Sequence, residues 1–299
     1  MIFESVLSID IGNHSTKIVI GKYKKNTIII EQAICIPTPS NCILNGKIID
    51  PIKLKEALHS TLSFQNIKIK KVIFTIESEE MITRQIILPY APSKQLSQMI
   101  EYEVLQKFPS LLKERILQYK KLEDLSIDGI PKSRMILASL PKSFIKDYWE
   151  LGKNLGLQPL LLDSHFHSIC KLFYLDQILI HNQETIAVLD LGHKWIHIYI
   201  FYKGILQITK TLSYNENQWI DEIERVFIYH SSTNLGNEIH KIYLIGGKAN
   251  DIHMKASLEK YFGILVEEMN SIDHIKIASL DSHMDIKRYI NAIGAMIRK

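Results

Sequence analysis

Residues 8–17 read Ser-Ile-Asp-Ile-Gly-Asn-His-Ser-Thr-Lys and lie between two runs of strand-forming residues. This pattern predicts a strand, a tight polar turn and a returning strand. A glycine in such a turn lets the backbone approach a ligand closely, and successive N–H groups there form a concave anion site. Asp10 would face a phosphate-bound cation through water, and Lys17 would supply a positive charge. Taken alone, the stretch fits an ordinary polar hairpin equally well.

The Asp-x-Gly turn recurs in the second half of the chain. Residues 185–192 are an apolar run that ends in Asp190-Leu191-Gly192, and two further strands are predicted around Lys203-Gly204. A later strand, residues 240–245, runs into Gly246-Gly247, where the backbone can again approach a ligand at a strand-to-helix junction. The recurrence predicts two related halves.

Composition limits the classes of protein to consider. The chain of 299 residues is 46% hydrophobic and 23% charged, which is typical of a globular protein with one large or two lobed domains. A formal charge of +4, spread along the chain, does not favour nucleic-acid binding. Cys35, Cys42 and Cys170 lack the spacing of a disulfide framework or zinc site. Without a signal-peptide pattern or a run approaching about 18 apolar residues, we expect a cytoplasmic protein that reaches the membrane only through a partner.

A block inside the first half has its own pattern. Residues 72–77 and 82–88 read as paired strands, and a helix capped by Ser93 follows with an apolar stripe that ends at Phe108. Two more strands complete the block. We therefore expect an α/β chain with a first lobe, an inserted α+β subdomain and a shortened second lobe, at residues 1–70 with 140–180, 71–139 and 181–299 respectively.

Two Asp-x-Gly turns and a late strand-Gly-Gly-helix resemble the two phosphate loops and the adenosine loop of the two-lobed actin/Hsp70-like (ribonuclease H-like) fold, which sugar kinases share. Within it, residues 74–89 and 100–109 are similar to the inserted subdomain of the type IV pilus assembly protein PilM family, relatives of the division protein FtsA. Residues 156–163 and 289–295 continue the likeness. The resemblance covers essentially the whole chain.

The resemblance implies a cytoplasmic adaptor that binds the short cytoplasmic N-terminal tail of the bitopic membrane protein PilN and links the inner-membrane platform to the assembly motors. It also implies ATP and magnesium in the cleft between the lobes. Asp10 and Asp190 would face the magnesium ion if it is bound. The loops carried over by motif are Asp10, Gly12, Asn13, His14, Ser15, Thr16 and Lys17 for the first phosphate loop, Asp190 and Gly192 for the second, and Gly246 and Gly247 for the adenosine loop.

Four departures from the family pattern weaken the expectation of a nucleotide. Trp195 crowds the second phosphate loop, residues 212–217 replace a Gly-Gly, and Lys248 replaces the third glycine of the adenosine loop. Only 54 positions separate Gly192 from Gly246, too few for the helices that cap the base in relatives. Because each large apolar group buried contributes about 1–3 kcal/mol, we expect ATP binding to be weak or lost.

The histidines near the predicted loops can be interpreted as functional or as structural residues. His14 and His193 lie one in each phosphate turn, so facing loops would bring them together, and with Asp10 and Asp190 they have metal-ligand chemistry. We favour solvated turn residues. Residues 164–167, Ser-His-Phe-His, read as a helix start whose two histidines do not share a helical face. No side chain near the loops can be assigned to orienting an attacking oxygen, so we expect no enzyme.

Three classes of function remain open. The first, which we favour, is a non-enzymatic adaptor with a degenerate nucleotide cleft. The second is an ATP-binding actin-like ATPase or polymerising protein, which the short second lobe opposes. The third is a sugar-kinase-like enzyme, which Trp195 and Ile196 oppose. A membrane tether of the FtsA type is disfavoured because the sequence ends at Lys299 without an amphipathic tail.

The partner surface can be placed only by resemblance. In relatives the partner peptide lies along a groove between the first lobe and the inserted subdomain, so part of residues 71–108 is the expected surface. The acidic residues Glu77, Glu79 and Glu80 would suit a basic tail. An ordinary solvated acidic turn fits these residues as well.

Overall fold

The computed structural model describes residues 4–109, 114–181, 183–233, 237–249, 251–269, 272–278 and 284–298, so the end of the chain at Lys299 lies outside the described residues. The chain divides into two compact units, a larger one of Met1–Glu77 with Trp149–Lys299 and a smaller one of Ser78–Tyr148. Within the described ranges, no helix has both the length and the hydropathy needed to cross a membrane.

Groups of strands are separated by helices along the chain. The strands are β1 (Val6–Ile11), β2 (Ser15–Lys24), β3 (Thr27–Pro37), β4 (Ile43–Leu44), β5 (Lys47–Ile48), β6 (Lys71–Ile76), β7 (Ile82–Pro89), β8 (Arg115–Ile127), β9 (Ile130–Pro141), β10 (Gln158–Ser164), β11 (Thr185–Leu191), β12 (Trp195–Tyr202), β13 (Ile205–Ser213), β14 (Ile239–Ile245), β15 (Leu265–Glu268) and β16 (Ile275–Ile277). The helices are α1 (Pro51–Phe64), α2 (Ser93–Lys107), α3 (Lys142–Asn154), α4 (His165–Leu175), α5 (Ile178–His181), α6 (Trp219–Thr233), α7 (Ile252–Phe262) and α8 (Ile286–Ala295).

A first sheet of six strands lies in the larger unit, in the order β10-β6-β1-β2-β3-β16. Strands β1, β2 and β3 form an antiparallel meander, as predicted, whereas β6 and β10 run parallel to β1. All six residues of β1 are buried, as expected for an apolar strand at the centre of a sheet. The carboxyl ends of β1, β6 and β10 therefore meet at one edge of this sheet.

The position of β6 corrects two predictions. Residues 72–77 do not pair with residues 82–88, because β6 lies between β1 and β10 in the first sheet. The inserted block therefore does not begin at residue 71, and the smaller compact unit starts at Ser78. The reason is that β6 is buried without interruption from Val72 to Ile76, with Thr75 as the polar residue in this run, which suits a central parallel strand better than a hairpin.

The second sheet repeats the order of the first. Its five strands are arranged β13-β12-β11-β14-β15, which matches β3-β2-β1-β6-β10 strand for strand. Helices α6 and α7 supply Ile223 and Leu258 to the core on one face of this sheet, against Leu189 and Ile198. Among the described residues between β13 and β14 there is a single helix, α6, as the spacing of 54 positions predicted. We call the first sheet with its helices the first lobe, and the second sheet with α6 and α7 the second lobe.

The last part of the chain returns to the first lobe, so the prediction of one lobe over residues 181–299 is wrong at its end. Strand β16 pairs with β3, and α8 packs against β1, β2, β6 and α4 as well as β14. The helix fits there because Gly294 has no side chain: a Cβ atom at this position would collide with the carbonyl oxygen of Ser168 in α4. Helix α8 therefore contacts strands of both sheets.

The smaller unit contains a three-stranded antiparallel sheet in the order β7-β9-β8. Its core joins Leu96, Ile100 and Val104 of α2 to Leu88, Met135 and Leu137 of the sheet. Asp128 and Gly129 connect β8 to β9 with φ values of 53° and 76°, the conformation of a tight two-residue hairpin turn. The block has three strands where four were predicted, because β6 lies elsewhere. Ser93 was predicted to cap α2. Instead it is the first residue of the helix, after Pro92, and no side chain caps the helix start.

Candidate functional site

The two Asp-x-Gly turns have matching geometry. In the first, the Gly12 amide donates to the Ser15 carbonyl at 3.2 Å; in the second, the Gly192 amide donates to the Trp195 carbonyl at 2.9 Å. A Cβ atom on either glycine would lie 3.0 Å from the carbonyl oxygen to which that glycine's own amide donates. A side chain at either position would therefore be tightly packed against its own turn, whether or not a ligand is present.

The Thr16 hydroxyl of the first turn is hydrogen-bonded within the protein. Thr16 is buried, and its Oγ1 lies 2.8 Å from Oγ1 of Thr38, which also donates to the Gly12 carbonyl at 2.8 Å. The Thr38 amide donates to the His14 carbonyl at 3.0 Å. Ser15 begins β2, and the Asn13 Oδ1 atom is buried without a hydrogen-bond partner among the described residues. Thr38 thus stabilises the turn through hydrogen bonds to the carbonyl groups of Gly12 and His14.

Asp10 is buried at the end of β1, with 2% of its surface exposed. Its Oδ2 lies 3.5 Å from Nζ of Lys17, the residue paired with it across the β1–β2 hairpin. Its Oδ1 lies 2.8 Å from Nε2 of His165. Burial alone would raise the pKa of the Asp10 carboxyl, but the charges of Lys17 and His165 outweigh it and hold the pKa well below its usual range.

His165 lies between the two turns. It is the first residue of α4, and Ser164 caps this helix by accepting a hydrogen bond from the His167 amide at 3.1 Å. Besides its contact with Asp10, its Nδ1 lies 3.8 Å from Oδ2 of Asp190. Burial favours the neutral ring, but Asp10, Asp190 and Glu77 outweigh it and raise the pKa of His165 to about 9. Each ring nitrogen of His165 thus faces one aspartate, and Nδ1 has no hydrogen-bond partner among the described residues.

Asp190 has partners from the first lobe and from the adenosine loop. Asn291 of α8 donates from Nδ2 to Oδ2 of Asp190 at 3.0 Å, in a buried position. Gly246 packs against the same turn at φ +98°, where a Cβ atom would collide with Oδ1 of Asp190 and lie 2.7 Å from the Leu191 carbonyl oxygen. Gly247, by contrast, has open space where a Cβ would lie. Gly246 is required here by packing of the protein on itself.

Two further side chains of β12, His197 and Tyr199, are buried near Asp190. His197, paired with Asp190 across the β11–β12 hairpin, lies 3.0 Å from Oγ1 of Thr211 through its Nδ1, and its ring is perpendicular to that of His165 at 6.3 Å. Burial lowers the pKa of His197 and raises that of Tyr199. Trp195 begins β12, two residues before His197, and so lies on the same strand face.

His14 and His193 meet at the tips of the two turns, as their positions in facing loops suggested. Their rings stack with centroids 4.4 Å apart and an interplanar angle of 16°. Burial, together with the nearby charges of His14, Lys248 and Lys194, lowers the pKa of His193. Across the part of the chain that the structure describes, no group of three or more histidine, cysteine, aspartate or glutamate residues is placed to hold a metal ion.

Lys248, which replaces the third glycine of the adenosine loop, contacts a ring of the second lobe. Nζ of Lys248 lies 3.3 Å from the ring centroid of Tyr214, a cation–π contact. Tyr214 follows β13, and its amide donates to the Lys194 carbonyl at 2.7 Å. The residues that stand in place of the family's Gly-Gly therefore pack against both the second phosphate loop and the adenosine loop.

Sequence reasoning missed His165, Asn291 and His197. Residues 164–167 do form a helix start, as predicted, but that start lies at the carboxyl end of β10. Since β10 and β1 run parallel in one sheet, with only β6 between them, the first side chain of α4 reaches Asp10. The signal available in the sequence was a polar residue directly after a strand, next to a sheet edge where Asp10 was already expected.

A family model for the type IV pilus assembly protein PilM matches residues 8–230. Among solved structures, a PilM–PilN type IV pilus biogenesis complex superposes with a TM-score of 0.83 and 16% identity, covering 99% of this chain and 100% of that one. A Bacteroides thetaiotaomicron protein with an actin-like ATPase fold superposes with a TM-score of 0.54 and 15% identity, covering 99% of this chain and 97% of that one. The ethanolamine utilization protein EutJ of Carboxydothermus hydrogenoformans superposes with a TM-score of 0.55 and 8% identity, covering 98% of this chain and 89% of that one.

The search of curated proteins returned no match. The family model spans about three quarters of the chain, and the solved structures add the fold. The chain therefore has an actin-like fold and belongs to the type IV pilus assembly protein PilM family.

Proposed function

We propose that the protein is a non-enzymatic adaptor of a type IV pilus or related secretion platform, and that it binds the cytoplasmic N-terminal tail of a PilN-like bitopic membrane protein. The observation that carries this proposal is the full-length similarity to a PilM–PilN complex, together with the family match over residues 8–230. In this role the protein is recruited from the cytoplasm to the inner face of the membrane by its partner.

Acidic residues near the start of the smaller unit support a basic tail as the ligand. Glu79 and Glu80 are exposed, and the Ser78 hydroxyl accepts a hydrogen bond from the Glu80 amide at 3.1 Å. Arg115 donates to the Glu80 carbonyl and to the Ser139 hydroxyl, the latter at 2.9 Å, which fixes the turn to β9. The Glu80 carboxylate also lies 4.0 Å from the Arg115 guanidinium, and both carboxylates remain exposed, which favours attraction of a basic segment.

The residues of the cleft support an adaptor without a bound nucleotide. Both aspartates that would face magnesium already have partners from the protein, Lys17 and His165 for Asp10 and Asn291 for Asp190. The Thr16 hydroxyl is engaged by Thr38, and Lys248 contacts Tyr214 in the adenosine loop. This donor set does not fit a nucleotide with its metal, so no step of the proposed function uses ATP.

A peptide-binding measurement tests the proposal. A labelled peptide with the N-terminal cytoplasmic sequence of a bitopic protein encoded beside this one should bind in a fluorescence anisotropy titration, and a scrambled peptide should not. The double change Glu79→Gln and Glu80→Gln should weaken binding about two- to tenfold. Glu101→Gln, an exposed change on α2 of the same unit, is the matched control. Absence of binding, combined with tight binding of ATP, would instead favour an actin-like ATPase.

A further inference from the structure

We propose that one edge of the first lobe binds an anionic lipid surface directly. This edge carries two Lys-x-Lys-Lys segments, residues 22–25 and 68–71, together with the exposed ring of Phe64. The inference goes beyond the proposed function, because it gives the larger unit a membrane contact of its own where the sequence predicted contact only through a partner. We call the surface the lysine edge, and its lysines are Lys22, Lys24, Lys25, Lys68, Lys70 and Lys71.

The fold brings the two lysine segments to the same edge of the first sheet. Residues 22–25 include the end of β2 and its turn to β3, and residues 68–71 lead into β6. Near the start of β1, Val6 pairs with Gly21 of β2, and Leu7 pairs with Val72 of β6. The two segments therefore lie on the strands that flank β1, with their backbones about 10 Å apart at a strand spacing of about 4.8 Å.

The lysine edge is at the opposite end of the first sheet from the Asp-x-Gly turn. Strand β6 begins at Lys71, and its Thr75 pairs with Asp10 in the neighbouring strand. That length of strand spans about 13 Å. Substitutions at the lysine edge are therefore remote from Asp10 and from the side chains that contact it.

The lysine edge stays positive after the carboxylates of Glu4 and Glu31 are counted. Nζ of Lys22 lies 3.3 Å from Oε1 of Glu31, and Lys71 forms an ion pair with Glu4. The other four lysines of the edge are exposed, and their number equals the formal net charge of the whole chain, +4. Lysine carries a compact point charge that can approach phosphates in many orientations. Charge complementarity therefore favours an anionic surface as the occupant.

Phe64 adds an apolar side chain that the fold holds in an exposed position. It is the last residue of α1 and is 86% exposed. Asn66, with φ 51°, turns the chain, and the amides of Asn66 and Ile67 donate to carbonyl groups of the last turn of α1 at 3.0 and 2.9 Å. Gln32 of β3 donates to Oε1 of Gln65 at 2.8 Å, which fixes this turn to the sheet. A fixed phenyl ring that precedes a lysine segment suits insertion at a membrane interface.

A lipid surface fits these features better than a nucleic acid does. Anionic headgroups attract clustered lysines by charge alone, and a phenyl ring without a polar group is stabilised at the boundary with the acyl chains. The two segments contain lysine and no arginine, the residue most often used for specific contacts to guanine. Nucleic-acid binding is therefore the competing outcome of the test.

Sedimentation with lipid vesicles tests the proposal on the full chain without a partner peptide. Vesicles with roughly one third phosphatidylglycerol in phosphatidylcholine should bind the protein, and vesicles of pure phosphatidylcholine should not. Each lysine near an anionic surface strengthens binding about fivefold, so removing four should weaken it about 100-fold or more. The test variant combines Lys24→Gln, Lys25→Gln, Lys68→Gln and Lys70→Gln. The matched control changes four exposed lysines elsewhere in the larger unit and should bind like the wild type: Lys47→Gln, Lys55→Gln, Lys210→Gln and Lys260→Gln.

Phe64→Ala provides a second route that leaves the charge unchanged. Loss of the ring should weaken vesicle binding about tenfold, because its apolar area no longer leaves water on binding. Ile252→Ala is the matched control, since Ile252 of α7 is also an exposed apolar residue and lies in the second lobe. Raising the salt concentration should release the wild-type protein from the vesicles, because salt screens charges at an exposed surface.

The proposal is overturned if the wild-type protein and the quadruple variant of the lysine edge bind phosphatidylglycerol vesicles equally, or if neither binds them. Binding of a labelled single-stranded RNA without binding of vesicles would assign the lysine edge to nucleic acid and would overturn it as well. The quadruple variant should still bind the peptide of the proposed partner. Loss of lipid binding is therefore distinguishable from failure of the proposed function.

Discussion

The two Asp-x-Gly turns are alike in backbone and different in charge. At the position paired with the aspartate across the hairpin, the first turn has Lys17 and the second has His197. The first aspartate therefore carries its own counter-charge, whereas the second depends on His165 and Asn291, which come from α4 and α8. The two turns thus share a backbone geometry but differ in the side chains around their aspartates. The second aspartate depends on residues from helices that pack with the first sheet.

The largest expected effect comes from the glycine that packs against the second turn. Gly246→Ala should destabilise the protein by roughly 3 kcal/mol or more, since its Cβ would collide with Asp190 and its φ of +98° disfavours alanine. Urea unfolding measures the change. Gly247→Ala should stay within about 0.5 kcal/mol because its Cβ meets open space. Equal costs for the two variants would show that the second turn is not held in this way.

Removing one partner from each aspartate compares the turns directly. Asn291→Ala should cost about 2–3 kcal/mol, because buried Asp190 loses its only hydrogen bond shorter than 3.5 Å from a described side chain. Lys17→Met should cost less, on the order of 1 kcal/mol, because Asp10 keeps the contact of 2.8 Å with His165. Chemical denaturation of both variants gives the two values. A larger loss from Lys17→Met would reverse the comparison.

Asp163 extends the comparison to a buried carboxylate of the first lobe outside the cleft. Burial would raise its pKa, but hydrogen bonds and charges from His167 and Lys171 lower it from 3.8 to about 2. The folded pKa lies below the unfolded one, so this contribution of about 2 kcal/mol is present above pH 4 and is lost as the pH falls toward 2. Unfolding free energies across this range should show the loss. The slope should flatten in Asp163→Asn, and an unchanged slope would contradict the assignment.

The smallest effect is expected at the tips of the turns. His14 and His193 are both exposed, so His14→Ala and His193→Ala should each change stability by about 1 kcal/mol or less. Because burial and the charge of His14 lower the pKa of His193, NMR titration should find that pKa higher in His14→Ala than in the wild type. An unchanged pKa would mean that the two rings do not sense each other in solution.

Local pattern predicted much of the fold. The hairpins at Asp10 and Asp190 were visible because glycine, polar turn residues and flanking apolar strands lie within ten residues of one another. The pairing of β6 was not visible, because a mainly apolar run specifies burial and leaves open which strand it pairs with. The return of α8 to the first sheet depends on a close approach of Gly294 to Ser168, a tertiary contact without a local signature.

In the candidate site, too, features with a local sequence pattern could be predicted and tertiary contacts could not. Loop residues could be located from motif spacing, whereas the partners of their aspartates could not. His165 lies 155 positions from Asp10 and Asn291 lies 101 positions from Asp190, so each contact depends on how whole elements are arranged. The pairing of Lys17 with Asp10 was within reach, since register across a two-stranded hairpin follows from the turn.

Calorimetric titration of the wild-type protein with magnesium–ATP tests most directly whether side chains have replaced the nucleotide between these two turns. We predict no saturable heat up to about 1 mM ligand, because Asp10 and Asp190 already have His165, Lys17 and Asn291 as partners. Saturable binding with a micromolar Kd would contradict the account.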